Sequence, residues 1–130
     1  MILIALIFGI IEMGIVFFMH NTTAEAAREA SRWASVRGTD CSNPNIDDGS
    51  CVAGVGATAA QIQAYAQKLP GAKSMNVTVQ WCDAAGQNCG SANLGAGNTV
   101  KVRASYQFAS VPFVTRKALS VSSTSESVIW

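Results

Sequence analysis

The chain opens with a run of nineteen residues that is apolar almost throughout. It reads MILIALIFGIIEMGIVFFM and contains one charged residue, Glu12. As an α-helix, a segment of this length spans about 28 Å, close to the ~30 Å hydrocarbon layer of a membrane. A cleaved signal peptide is the competing interpretation, but the run is longer than the usual ~7–15 apolar residues and no basic segment precedes it. The pattern therefore predicts a retained membrane anchor over residues 1–19.

The helix is expected to continue beyond the apolar run. Residues 22–37 are rich in alanine, contain neither proline nor glycine, and stop at Gly38, a residue type that often ends helices. A single helix over residues 1–37 would be roughly 55 Å long. Small residues recur every fourth position in its polar half, notably at Ala26, Ala30 and Ala34. Either alanine acts there only as a helix former, or the spacing lets the helix pack closely against copies of itself.

Residues 38–130 predict a small α+β head. Helical periodicity covers residues 57–69, and Pro70 and Gly71 follow as a stop signal. Alternating apolar and polar positions predict strands over residues 75–82 and 100–108.

A third strand is expected from about residue 118 to residue 130. Its apolar positions change parity between Val121 and Val128, which predicts a bulge or a break. The expected fold is thus α+β: a long N-terminal helix, a second helix, and a three-stranded antiparallel sheet with one face covered by both helices.

The four cysteines indicate the compartment. Of the three possible pairings, we favour the local ones, Cys41 with Cys51 and Cys82 with Cys89, because each closes a short loop that lacks other structure. The intervals of nine and six residues fit a zinc site poorly. Two local disulfides would place the head in the periplasm or outside the cell.

Composition and charge narrow the function further. Hydrophobic residues make up 49% of the chain and charged residues only 13%, against about 25% charged in an ordinary soluble domain. The net charge of +1 argues against a nucleic-acid partner. No nucleophile–base pair or metal-ligand set stands out, so neither catalysis nor a cofactor is expected. Residues 40–48 resemble a calcium loop, but Gly49 falls one position late and no closing glutamate follows, so no metal is expected either.

The basic residues after the apolar run conflict with an external head. Arg28, Arg32 and Arg37 would lie in the cytoplasm under the positive-inside rule. The expected resolution is that Met1 is not the translation start and that a basic leader precedes it.

Three segments together resemble a known family. FGIIEMG (residues 8–14), AAREASRWASV (residues 26–36) and VKVRASYQF (residues 100–108) are similar to segments of the TadE-like pilins, small single-span proteins of the tight-adherence branch of type IV pilus systems. The resemblance implies a homo-oligomeric structural subunit. Such a subunit waits in the inner membrane, works with the pilus assembly machinery, and joins an extracellular adhesion filament in which neighbouring copies cover the apolar helices.

This reading predicts the subunit contacts. The expected contact residues of the helix are apolar or small, apart from one acid; they are Ile4, Ile7, Phe8, Ile11, Glu12, Ile15, Phe18, Ala26, Ala30 and Ala34. The apolar loop residues Val111, Phe113 and Val114 belong either to the core or to a further contact.

Glu12 is the most specific of these residues, because an acid within an apolar membrane span costs about 2.5–3.5 kcal/mol on insertion scales. It either pairs with a cation of a neighbouring subunit, namely an N-terminal amine or Arg28, or stays protonated and locally hydrogen-bonded, or lies near a membrane interface. The alternatives to a filament subunit are a monomeric membrane-anchored binding module and a minor component of pilus assembly.

Overall fold

The computed structural model describes residues 2–38, 56–90, 93–108 and 119–130. Within these residues the elements follow one another along the chain as α1 (Ile2–Val36), α2 (Ala59–Lys68), β1 (Asn76–Cys82), β2 (Thr99–Phe108) and β3 (Leu119–Val128). The strands form one antiparallel sheet in the order β1-β2-β3. The expected α+β fold is confirmed.

Helix α1 is continuous, and its second half lies against β2 and β3. The residues that it buries there are small without exception: Thr23, Ala26, Ala27, Ala30, Ser31, Ala34 and Ser35. Small side chains allow a helix to approach its neighbour closely. The approach is close enough for the Ser31 hydroxyl to lie 3.0 Å from the hydroxyl of Ser125 on β3.

Helix α2 begins two residues later than the periodicity indicated, for a local reason. The Thr58 side chain accepts a hydrogen bond from the backbone N–H of Gln61 (3.3 Å), and the Gln61 side chain accepts one from the Thr58 N–H (2.8 Å). This reciprocal capping box fixes the first turn. The N–H of Ala57 instead donates to the carbonyl of Arg37 at the end of α1 (2.8 Å), so Ala57 links the two helices. The helix then packs on α1 and β1, with Ile62 fully buried.

The sheet buries one face against the helices and leaves the other exposed. Val77 of β1 and Val100 and Val102 of β2 point into the core. There they meet the alanines of α1 together with Ile62 and Ile129. The outer face carries polar side chains such as Thr78, Gln80 and Arg103. The strand alternation read from the sequence thus identifies the core side correctly.

The predicted bulge in the third strand is wrong. Strand β3 pairs with β2 without interruption, from Thr99 opposite Val128 to Phe108 opposite Leu119. The inward positions run from Val121 through three serines to Ile129, which is 2% exposed. Val128 and Trp130 are outward and exposed. Serine suits these inward positions because α1 lies very close to β3. The facing residues of α1 are themselves alanine and serine, and this close approach leaves little room for larger side chains on the strand.

Candidate assembly surface

The first half of α1 is not covered by any other described part of the chain. We call this segment, residues 2–19, the apolar half. By length and composition the helix is able to cross a membrane, and none of its most apolar span is buried in the protein. Twelve large hydrophobic side chains between Ile2 and Phe18 are exposed. A helix that is hydrophobic on all sides requires cover on all sides, from lipid or from protein.

The cover provided by the head begins abruptly at Thr22 and Thr23. Thr23 is fully buried, and its hydroxyl donates to the carbonyl of Met19 (2.6 Å). The turn after α2 reaches α1 at the same level, because a Cβ atom placed on Gly71 would lie 3.0 Å from Cγ2 of Thr22. With φ near +80°, Gly71 also adopts a backbone conformation that favours glycine. The end of the apolar half therefore coincides with the lower edge of the head.

The apolar residues expected at a subunit contact all lie on this uncovered surface. Their side chains are between 47% and 61% exposed; they are Ile4, Ile7, Phe8, Ile11, Ile15 and Phe18. The structure thus leaves them open to lipid or to another copy.

The three alanines of the same prediction are placed differently. Ala30 and Ala34 are completely buried and Ala26 is 2% exposed, all within the chain's own head. Ala30 and Ala34 pack with residues of the sheet and of α2, and Ala26 packs with Ala72 and Met75 in the segment between α2 and β1. These partners belong to the head and not to a second helix of the same kind. The four-residue spacing does mark a closely packed face, but the partner is the head of the same chain. These three side chains therefore leave no exposed surface for a neighbouring subunit.

Glu12 is partly exposed within the apolar half. It precedes Ala30 by eighteen residues, which is five turns of an α-helix, so the two residues share one side of α1. Glu12 therefore points to the side of the helix on which the head sits, below the head itself.

The outer side of α1, in its head half, carries four exposed charged residues, Glu25, Arg28, Glu29 and Arg32. We call this set the charged ridge. At 100° per residue the two acids lie on one flank of the ridge and the two arginines on the other. The acidic flank borders α2, where the Tyr65 hydroxyl donates to Oε1 of Glu29 (3.2 Å). The basic flank lies toward β3, next to Ser31 and its partner Ser125.

An aromatic contact fixes the acidic flank in place. The rings of Trp33 and Tyr65 stack with their centroids 4.9 Å apart, and the guanidinium of Arg37 lies 4.1 Å from the centre of the Trp33 ring. Partial burial raises the pKa of Tyr65, and the neighbouring Glu29 carboxylate adds to the increase. Tyr65 is therefore a neutral hydrogen-bond donor to Glu29 at neutral pH. The ridge was not predicted from the sequence, although like charges four residues apart, Glu25 with Glu29 and Arg28 with Arg32, are a signal for it.

The remaining predicted site residues divide into those described and those not. The Cys82–Cys89 disulfide is present and closes the loop after β1. Asp83 braces this loop, because its carboxylate accepts from the Gln87 N–H (2.8 Å) and from the Asn88 side chain (2.7 Å). Cys41, Cys51, Val111, Phe113 and Val114 lie outside the described residues, as does the acidic segment 40–48.

The fold and its uncovered surface define a class of protein: a small α+β head carried on one long helix whose free half is apolar. Comparison with known protein families finds a match over most of that helix. The model of the TadE-like protein family matches residues 1–32, which span the apolar half and the first turns under the head. No curated protein and no solved structure matches the chain. Over this N-terminal stretch the chain is similar to TadE-like proteins, which fits a membrane-anchored, pilus-related subunit. The match includes the motif at residues 8–14 and the first part of the motif at residues 26–36, whereas the motif at residues 100–108 lies outside it.

Proposed function

We propose that the chain is a structural subunit of an extracellular pilus-type filament and has no catalytic role. The apolar half holds the subunit in the inner membrane before assembly and packs against the apolar halves of other copies afterwards. The observation that carries this proposal is an eighteen-residue apolar span with no cover from its own head, located within the stretch that the TadE-like family model matches.

The energetics of the apolar half support an assembly that does not dissociate in water. Burial of one large aliphatic or aromatic side chain is worth about 1.5–3 kcal/mol, and twelve such side chains are exposed here. Release of a subunit into water would thus cost on the order of tens of kcal/mol. Transfer from lipid to protein is much closer to neutral, because lipid already covers these groups. The proposal therefore includes a pilus assembly machinery that extracts subunits from the membrane.

Within this proposal Glu12 sets the register between neighbouring apolar halves. A carboxylate surrounded by Ile11, Met13 and other apolar residues gains most from a cation that another subunit brings to the same depth. Candidates are an N-terminal amine or Arg28 of a neighbour.

The decisive experiment is electron microscopy of sheared cell surfaces with an antibody against the head. Cells that express the full chain are expected to carry labelled filaments. Glu12→Gln is expected to reduce filament yield while the chain still fractionates with the membrane. Gln80→Glu, on the outer face of the sheet, serves as the control for a substitution away from α1.

Two results would overturn these ideas separately. A chain that stays in the membrane, is monodisperse in detergent and never appears in filaments would instead support an anchored monomeric binding module. Normal filament yield from Glu12→Gln would remove the register role of Glu12 and leave the filament proposal standing.

A further inference from the structure

The side chains of the charged ridge make almost no hydrogen bonds or ion pairs within the described part of their own chain. In the described residues the side chains of Glu25, Arg28 and Arg32 make no hydrogen bond or ion pair, and Glu29 accepts one hydrogen bond, from Tyr65. All four residues are exposed. The ridge is therefore available to a partner along its whole length.

The spacing of the four charges gives α1 little stabilisation of its own. Favourable helix pairs place opposite charges three or four residues apart, whereas here the residues four apart carry like charges and repel each other slightly. Opposite charges occur three residues apart but are not engaged with each other in the structure. The four charges also cancel, so the ridge does not attract a partner of one net sign.

The same spacing matches a second copy of the ridge. Glu25 and Glu29 occupy one flank and are about 6 Å apart along the axis, and Arg28 and Arg32 occupy the other flank at the same separation. If two parallel helices place the acidic flank of one beside the basic flank of the other, an axial offset of three residues, about 4.5 Å, pairs Glu25 with Arg28 and Glu29 with Arg32. Any other offset pairs at most one acid with one arginine.

We propose that the charged ridge is a contact between copies of this chain, in which the acidic flank of each subunit meets the basic flank of the next at an offset of three residues. The proposal rests on the proposed filament function and adds to it an axial register and a direction. The ridge lies directly above the apolar half on the same helix, so the two contact surfaces are continuous. Because the two flanks differ, each subunit keeps one flank free for another copy, and the contact propagates instead of closing into a pair.

An antiparallel arrangement would also match the charges, since Glu25 would face Arg32 and Arg28 would face Glu29. Subunits anchored in one membrane have their apolar halves pointing the same way, so this arrangement is not open to them. Exposed ion pairs are individually weak and act mainly on register and on the choice of partner. In this assembly the cohesion comes from the apolar half, and the ridge fixes the axial offset between those neighbours whose ridges meet. Because Arg28 is then engaged with Glu25, the cation that remains for Glu12 is the N-terminal amine of another neighbour.

Charge reversal in the full-length chain tests the contact. The acid-reversed variant carries Glu25→Lys and Glu29→Lys, and the base-reversed variant carries Arg28→Glu and Arg32→Glu. Each makes the ridge uniformly charged, and each alone is expected to weaken the subunit contact about tenfold, seen as fewer surface filaments. Lys68→Glu with Lys73→Glu changes the charge of exposed head residues by the same amount as the base-reversed variant and is expected to leave filament number unchanged.

Rescue provides the specific readout. Co-expression of the two reversed variants is expected to restore filaments that contain both, because each then offers the other the opposite charge. The fourfold exchange in a single chain is expected to restore them as well. Cysteine pairs test direction: under an added thiol oxidant, copies with Glu25→Cys should cross-link to copies with Arg28→Cys and not to copies with Arg32→Cys.

The outcomes separate this inference from the filament proposal. Filaments of normal number from both reversed variants, no rescue in the mixture, or cross-links to Arg32→Cys would each overturn the ridge contact while leaving the filament function intact. If the unmodified chain forms no filaments, the filament function fails and the ridge contact fails with it.

Discussion

Ala30 and Gly9 allow the packing of the head to be separated from the packing between subunits. Both are small residues of the same helix, but Ala30 is completely buried in the head, whereas a Cβ atom on Gly9 would meet nothing within 4 Å. Leucine at position 30 adds three carbon atoms between α1 and the sheet, where no space exists. Leucine at position 9 extends into the open surroundings of the apolar half. The two substitutions should therefore affect different properties.

For Ala30→Leu, overpacking of the core is expected to cost about 1–3 kcal/mol of folding free energy. In a domain of this size 1 kcal/mol corresponds to about 4 °C in the unfolding midpoint, so a decrease of roughly 4–12 °C is expected. Gly9→Leu should leave the unfolding midpoint of the head unchanged. The assay is thermal unfolding of the full chain in detergent, followed by the near-ultraviolet circular dichroism of Trp33 and Trp81, which pack against the core.

The filament yield supplies the second half of the test. Gly9→Leu is expected to alter assembly, because it enlarges a surface that another copy must fit. An unchanged midpoint together with a loss of filaments in Ala30→Leu would refute the placement of Ala30 in the head, since Ala30 would then be a subunit contact. A loss of head stability in Gly9→Leu as large as that in Ala30→Leu would equally refute the separation of the two surfaces.

Two further predictions concern the loop closed by the disulfide. Replacement of both Cys82 and Cys89 by alanine should lower the free energy of unfolding by about 2.5 kcal/mol, the chain-entropy value for a loop of this length, as measured by urea denaturation; an unchanged midpoint would show that the bond does not constrain the unfolded chain. Hydrogen bonds from the Gln87 N–H and from the Asn88 side chain lower the pKa of Asp83. The ionised carboxylate therefore stabilises the fold at pH values above its usual pKa of about 3.9. This stabilisation is lost as the pH falls through the lower pKa of the folded state. The midpoint difference between the unmodified chain and Asp83→Asn should accordingly shrink as the pH is lowered from neutral to about 2, and a difference that is constant with pH would contradict this role.

Local patterns were sufficient to predict most of the architecture. The apolar run and the alanine-rich segment predicted α1, and strict alternation predicted β1 and β2, because these signals depend on the period of one element alone. The Cys82–Cys89 bond could be predicted for the same reason: both residues belong to one short loop.

The features that the sequence did not predict correctly depend on which residues lie across a contact. The serines of β3 face inward only because the opposing side of α1 is built from small residues, and no property of the strand by itself shows this. The spacing of Ala26, Ala30 and Ala34 correctly indicates a closely approached face, but it does not say whether the neighbour is a sheet or another helix. The charged ridge was not predicted because charged residues on one side of a helix are typical of any solvent-exposed surface. Only the fold shows that three of its four side chains have no partner within the described residues.

The continuity of α1 has a mechanical consequence. Between Gly14 and Gly38 the helix contains neither glycine nor proline, and its upper turns are clamped by the sheet. The segment thus acts as a rigid shaft with no hinge between the apolar half and the head. Any rotation of the apolar half about its own axis turns the head through the same angle, and a pull on the head passes directly into the apolar half. The outer face of the sheet consequently keeps a fixed orientation relative to α1 and points away from it. This face carries Thr78, Gln80 and Arg103.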